Sequence, residues 1–257
     1  WLVELIDRAI DIMEANPDYK CFHLDGQTIV LEDYLEIRPE RKEKLVQFLR
    51  EGRLIAGPWY NLPDEWLISG ESYIRNLMRG MRICREFGFD HSTFAYTPDQ
   101  FGHIAALPTI MAGMGLTNGI CWRGTQDSDC PAHFVWVGPD GSRMVTTKLM
   151  DKYSYNPFEH GVRYFVHPET TSDDEFKEIV DTYLSDEAAR SPIPLLLMLD
   201  AVDHSEPDPK MLWIFKKLEQ LYPDIEFTWE PIYKYGDELA RHADKLPERH
   251  GELRDPV

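Results

Sequence analysis

Apolar positions along this chain alternate between two rhythms. The opening run from Trp1 to Met13 repeats Leu2, Leu5, Ile6, Ala9, Ile10 and Met13 on one face and predicts an amphipathic helix from its first residue. Residues 21–25 then read as an apolar strand ending at Asp25-Gly26. Arg38-Pro39-Glu40 opens a helix to Glu51, stopped by Gly52, and 54–60 is the next strand. A helix over 69–87 carries Ser69 as N-cap, Glu71 in its first turn and Gly88 as its stop. Residues 92–96 alternate small and aromatic β-formers and end at Pro98. A helix over 104–115 follows, with Ile104, Leu107, Ile110, Met111 and Met114 at helical spacing.

The second half keeps the pattern. Residues 119–122 form a strand, and 134–137 and 144–147 flank Pro139-Asp140-Gly141-Ser142 as a hairpin. Helices are predicted over 172–189 and 209–221 and again from Pro231. Strands are predicted over 194–199, ending in Asp200, and over 225–229. About six or seven such units imply a parallel sheet covered by helices, either a barrel-like α/β domain or a doubly wound open sheet. Residues 150–171, rich in Tyr, Pro and His, make the longest irregular stretch.

Composition narrows the function. With 257 residues and 43% hydrophobic content the chain can bury a large core. A net charge of −18 disfavours a nucleic-acid partner or an anionic membrane surface. No apolar run is long enough to cross a membrane. Cys21, Cys84, Cys121 and Cys130 lack metal-type spacing; Cys21 and Cys121, inside strand-like runs, read as buried thiols, and the set points to a reducing, cytoplasmic compartment. No glycine-rich phosphate loop follows any strand. The chain starts inside a helix and ends without a closing element, which reads as a fragment cut at both ends.

The candidate chemistry sits where strands end. There stand Asp25, Trp59 with Asp64 and Glu65, Asp99 with His103, Arg123, Tyr153, Tyr155, and Asp200 with Asp203 and His204. In α/β architectures, parallel strands bring such groups to one face. Carboxylates beside aromatic rings suit a sugar, and two of them could flank a glycosidic bond. Structural readings stand beside these: Asp99 as an N-cap, the 199–204 run as an Asx turn, Glu65 as a solvated loop acid, His103 as a satisfied supporting histidine.

Taken in order, Gly57-Pro58-Trp59-Tyr60-Asn61-Leu62-Pro63-Asp64-Glu65, then Gly70-Glu71-Ser72-Tyr73-Ile74-Arg75-Asn76-Leu77, then Pro98-Asp99-Gln100-Phe101-Gly102-His103 with Leu107-Pro108, then Trp122-Arg123-Gly124 resemble the N-terminal catalytic domain of glycoside hydrolase family 38, the α-mannosidases. Leu24-Asp25-Gly26-Gln27-Thr28 and Val202-Asp203-His204 resemble its bacterial branch. The resemblance implies an irregular seven-stranded (β/α) barrel, incomplete at the N-terminal strand, with residues 1–257 as part of the catalytic domain of a longer glycoside hydrolase. It implies retaining hydrolysis of α-mannosides with a divalent metal, usually zinc. Asp99 would be nucleophile and metal ligand, and Asp203 the general acid/base. Phe101, Arg123 and Tyr155 would line or orient the sugar site, with Asp200 and His204 in it or just behind it.

Proximity to apolar Leu199 and Val202, and to the other carboxylates, is expected to raise the pKa of Asp203 and favour its protonated form. The other zinc ligands are expected outside residues 1–257, so that the fragment alone binds zinc weakly and is inactive. The partner is a mannose-containing oligosaccharide or glycoside, including mannosylglycerate, and a homo-oligomer is allowed. A metal-dependent polysaccharide deacetylase and a noncatalytic carbohydrate-binding domain are the rival readings. The pairing of Asp99 with Asp203 argues against both.

Overall fold

Seven short strands form two sheets in the computed structural model, which describes residues 1–89 and 94–254. β1 (Phe22–His23) pairs in parallel with β2 (Leu54–Ile55), and a parallel bridge between Gln27 and Trp59 prolongs that pairing. The second sheet has the order β3 (Phe94–Thr97), β4 (Asn118–Cys121), β6 (Arg143–Lys148), β5 (His133–Val137), β7 (Glu248–His250). β3, β4 and β6 run parallel, and β5 turns back on β6 as the expected hairpin, pairing Val135 with Val145. β7 then runs parallel to β5.

The helices follow from local signals. α1 (Leu2–Ala15) buries Leu5, Ile6, Ala9, Ile10, Ile12 and Met13, the stripe its spacing predicts. α3 (Lys42–Arg50) follows a short 3-10 turn begun by Pro39. α4 (Gly70–Glu86) is capped by Ser69, whose hydroxyl accepts from Ser72 N–H at 3.2 Å. α5 (Leu107–Gly113), α6 (Asp173–Arg190), α7 (Lys210–Leu221) and α8 (Ile232–Ala240) complete the set, with Ser172 capping α6. Two elements were not expected. α2 (Ile29–Ile37) buries Leu31 and Tyr34, and Tyr34 Oη donates to Asp7 of α1 at 2.7 Å. β7 is polar at every position and carries no apolar signal.

The fold is mixed α/β, but the described residues do not make one closed sheet. The strand expected over 194–199 is not formed, and these residues pair with no sheet among the described residues. Their alternate carbonyls are taken by scattered partners: Leu195 by the His133 ring at 3.1 Å and the Ser191 hydroxyl at 3.2 Å, Leu197 by Tyr183 Oη at 3.2 Å, Leu199 by Phe158 N–H at 3.1 Å. Those partners satisfy the backbone where a ladder otherwise would. Residues 225–229 are likewise not a strand. Of the strand expected over 92–96, Ser92 and Thr93 lie outside the described residues.

One charged cluster is built into this frame. Lys148, at the end of β6, is fully buried and donates to Asp127 at 2.9 Å, to the Leu149 carbonyl at 2.9 Å and to Asp151. Arg190, at the end of α6, reaches Asp127 at 2.8 Å and Glu187 at 3.1 Å. Burial pushes the Glu187 carboxyl up to about 7 from an ordinary 4.5, with Arg190 opposing. The folded chain therefore holds a proton that the unfolded chain releases. The stability this gives is complete below the unfolded pKa and is lost as pH rises through the folded one. Glu187→Gln, which mimics the protonated form, is expected to flatten the decline in melting temperature between about pH 5 and pH 8. Parallel melting curves for the two proteins across that range would contradict it.

Candidate active site

Asp99 leaves the end of β3, and the turn that holds it has an inside and an outside. Pro98, Gln100, Gly102 and His103 are buried, while Asp99 and Phe101 are exposed. The helix that follows starts only at Leu107, with Ala106 as its N-cap, so Asp99 does not cap it. Its carboxylate is left for another use. Arg123, beyond the end of β4, places its guanidinium 3.2 Å from Asp99 Oδ1. Its second hydrogen bond to Asp99, at 3.4 Å, also falls on Oδ1. The same guanidinium lies over the rings of Phe101 at 4.4 Å and Trp122 at 4.1 Å, which fixes its plane. Phe101 keeps 68% of its surface exposed, an apolar face free for a sugar.

The second acid comes from the loop after 194–199. Tyr155 stands edge-on to Trp122, ring centroids 5.4 Å apart, and its hydroxyl donates to Asp203 Oδ2 at 3.5 Å. Burial, then the charges of Asp203 and Asp99, push the Tyr155 phenol up. That one ring therefore feels both carboxylates. Leu199 and Val202 do not enclose Asp203, whose side chain is 60% exposed and pairs with His204 Nε2 at 3.3 Å. The loop arches into the cleft instead of ending an apolar strand. His204 also packs on Trp1, centroids 5.3 Å apart. Asp200 is taken by Arg163 at 2.7 Å, which also holds Asp208 at 3.2 Å. It shapes the base of the acid loop, and burial pushes its carboxyl up against the pull of Arg163.

Asp99, Phe101, Tyr155, Asp200, Asp203 and His204 share one wide cleft with Asp25 and Asp64. Asp25 accepts from Gln27 Nε2 at 2.7 Å, and burial pushes its carboxyl up, with the charge of Asp99 adding to the shift. His23 stacks on Tyr96 at 5.0 Å, and burial pushes its imidazole down to about 4, so the ring is neutral at pH 7. Asp25, Ser154 and His204 are non-glycine residues in the left-handed region, at φ 59°, 61° and 56°. Asp25 and His204 line the cleft and Ser154 precedes Tyr155, a clustering typical of sites where geometry outweighs backbone comfort. The apolar wall is Leu197, Leu199, Phe227 and Trp229.

Several strand-end residues do other work. Trp59 is core, its indole N–H donating to the Tyr96 carbonyl at 2.8 Å. Tyr153 packs on Tyr183 and donates to Asp186. Glu65 is not a solvated loop acid. It is buried against His103, and the spacing of the two residues in the chain gives no sign of that pairing. Among the described residues, no three His, Cys, Asp or Glu side chains gather as they would around an ion. His103 Nδ1 is held by Glu65 and His204 Nε2 by Asp203. The described residues thus do not complete a metal site around Asp99.

Comparison with known proteins gives the same direction. The family model described as "Glycosyl hydrolases family 38 N-terminal domain" matches residues 2–252. The "Putative mannosylglycerate hydrolase" of Halalkalibacterium halodurans is 30% identical over 267 residues, covering 99% of this chain and 29% of its own. Human "Alpha-mannosidase 2C1" is 33% identical over 145 residues, 53% of this chain and 13% of that one. The crystal structure of an alpha-mannosidase from Enterococcus faecalis V583 superposes with a TM-score of 0.86 at 29% identity, covering 98% of this chain and 28% of that one. The chain thus spans less than a third of the length of the first relatives it matches.

Proposed function

This chain belongs to glycosyl hydrolase family 38, as its N-terminal domain, and from that premise we propose that it carries the two reacting carboxylates of a retaining α-mannosidase, Asp99 as nucleophile and Asp203 as acid/base. The observation that carries this reading is the run of contacts from Asp99 through Arg123 and Trp122 to Tyr155, which donates to Asp203, so that both acids border one ring-lined spot. A mannoside there would lay its apolar face near Phe101 and its hydroxyls toward Asp25 and Tyr155. With both Arg123 contacts on Oδ1, Asp99 Oδ2 is the oxygen to attack the anomeric carbon. As the glycosidic C–O bond breaks, Asp203 gives its proton to the leaving oxygen. Asp203 then takes a proton from water, whose oxygen opens the Asp99 ester and releases mannose with retained configuration. Retention asks for carboxyls about 5–5.5 Å apart.

Zinc, which the family implies, would take Asp99 as one ligand, the described residues supplying no others. When bound, zinc would supply Lewis-acid stabilisation of charge at the sugar, and the two carboxylates would make and break the bonds. Residues 1–257 are read as part of a longer catalytic (β/α) barrel domain. The parallel pairing of β1 with β2 and of β3, β4 and β6 supports that reading. The substrate is a terminal α-mannoside. The cleft is acidic, and Arg123 and Arg163 are already paired with carboxylates, which favours a neutral oligomannoside over mannosylglycerate.

The test is hydrolysis of an aryl α-mannoside by the full-length protein. Turnover should vanish on chelation, return with zinc, and fall at least about 100-fold in Asp203→Ala. Acetate release from an acetylated polysaccharide without glycoside cleavage would replace this reading with a deacetylase. Mannoside binding without turnover would make the domain a carbohydrate-binding module.

A further inference from the structure

The turn that presents Asp99 is fixed from beneath by a buried pair that the chemistry above leaves unused. His103 Nδ1 lies 2.7 Å from Glu65 Oε1, and both side chains are excluded from solvent. The other Glu65 oxygen accepts the Ile104 N–H at 2.8 Å. Glu65 thus grips both the His103 ring and the backbone just after it. The His103 N–H donates to the Leu253 carbonyl at 2.7 Å, and its carbonyl accepts from Leu253 N–H at 2.9 Å.

Little slack remains between this anchor and Asp99. Gly102 sits at φ 94°, and a Cβ there would come within 2.8 Å of the Leu253 carbonyl oxygen. Pro98 and Gln100 point inward and are buried. A shift of His103 therefore has no loose residue in which to be absorbed before it reaches Phe101 and Asp99. Buried polar pairs are a poor source of stability compared with apolar packing of the same volume. A pair kept at the foot of a reactive turn asks for another explanation.

We propose that Glu65 and His103 form a positioning pair that sets the Asp99 carboxylate and the Phe101 ring, acting through the 99–103 turn without touching substrate. This rests on the assignment of Asp99 as nucleophile. Misplacing a reacting group by about 1 Å costs on the order of 100-fold in rate. Glu65→Ala leaves the His103 ring and the Ile104 N–H without their acceptor. Glu65→Gln keeps both contacts: its carbonyl oxygen takes the Ile104 N–H, and its amide N–H donates to His103 Nδ1 in the other neutral tautomer.

In the full-length protein, kcat for an aryl α-mannoside should fall about 100-fold in Glu65→Ala while KM moves less than about threefold, and Glu65→Gln should recover to within about tenfold of wild type. Should Glu65→Ala not fold, His103→Asn against His103→Phe makes the same comparison, because the Asn amide reaches the Nδ1 position. A crystal structure of the Ala or Phe variant should show Asp99 displaced and its contact with Arg123 lost. Equal kcat in the Ala and Gln variants, or Asp99 unmoved in that crystal structure, would overturn the proposal. A wild-type protein that hydrolyses no mannoside would instead overturn the assignment of Asp99, and the displacement in the crystal structure would still decide the role of the pair.

Discussion

Asp99→Asn is expected to lower kcat for an aryl α-mannoside by roughly 10⁴-fold or more, with little change in KM. The amide has the volume and shape of the carboxylate, so the turn between Pro98 and His103 should persist. Its carbonyl oxygen can still accept from Arg123 in place of Oδ1. What disappears is the anionic oxygen that, on the proposed mechanism, forms the ester. The guanidinium, pinned over Phe101 and Trp122, then faces a neutral group and cannot follow it. Steady-state kinetics on the full-length variant, with circular dichroism to confirm the fold, checks this. Activity within tenfold of wild type would move the nucleophile elsewhere in the cleft.

Lys148→Met should produce the largest loss of stability of any single change away from the cleft, about 3–5 kcal/mol. The ammonium is fully buried, and its three donors meet Asp127, Asp151 and the Leu149 carbonyl. Methionine fills the stem but leaves two carboxylates facing each other. Those carboxylates also cross-brace two loops, because Asp127 N–H donates to Asp151 at 2.6 Å and Asp151 N–H donates to Asp127 at 2.9 Å. Arg190 can neutralise only the Asp127 side. Urea unfolding at pH 7 reads the change. Adding Asp151→Asn to Lys148→Met should recover part of the loss. A shift below about 1 kcal/mol would show that the pair is solvated more than its burial implies.

The parts of the fold that were legible in the sequence were those written in local chemistry. The Ser69 cap of α4, the stripe of α1 and the hairpin of β5 and β6 follow from residues close in the chain. So did the family, because its motifs are short and ordered, and the model matching residues 2–252 confirms it. What the sequence misled on was set by distant partners. Residues 194–199 look like a strand in every local respect, yet a histidine, a serine, a tyrosine and one backbone N–H take their carbonyls. β7 gives no apolar signal because its place is fixed by β5.

The candidate site divides in the same way. The structure places Arg123 beside Asp99 and Tyr155 beside Asp203. Asp200 and His204 are drawn into pairs with Arg163 and Asp203 that no spacing could show. The Glu65–His103 pair joins residues 38 positions apart, and Lys148 is the sixth residue of an otherwise ordinary strand. Burial of a charge is decided by what closes over it, and that information is spread along the whole chain.

The most direct test of the central claim is to trap the glycosyl-enzyme. The full-length protein would be incubated with a fluorinated mannosyl fluoride that forms the ester quickly and releases it slowly, then digested and mapped by mass spectrometry. A single fluoromannosyl adduct on the peptide containing Asp99, absent from Asp99→Asn, is the predicted result. An adduct on another carboxylate, or turnover with inverted configuration and no adduct, would contradict the account.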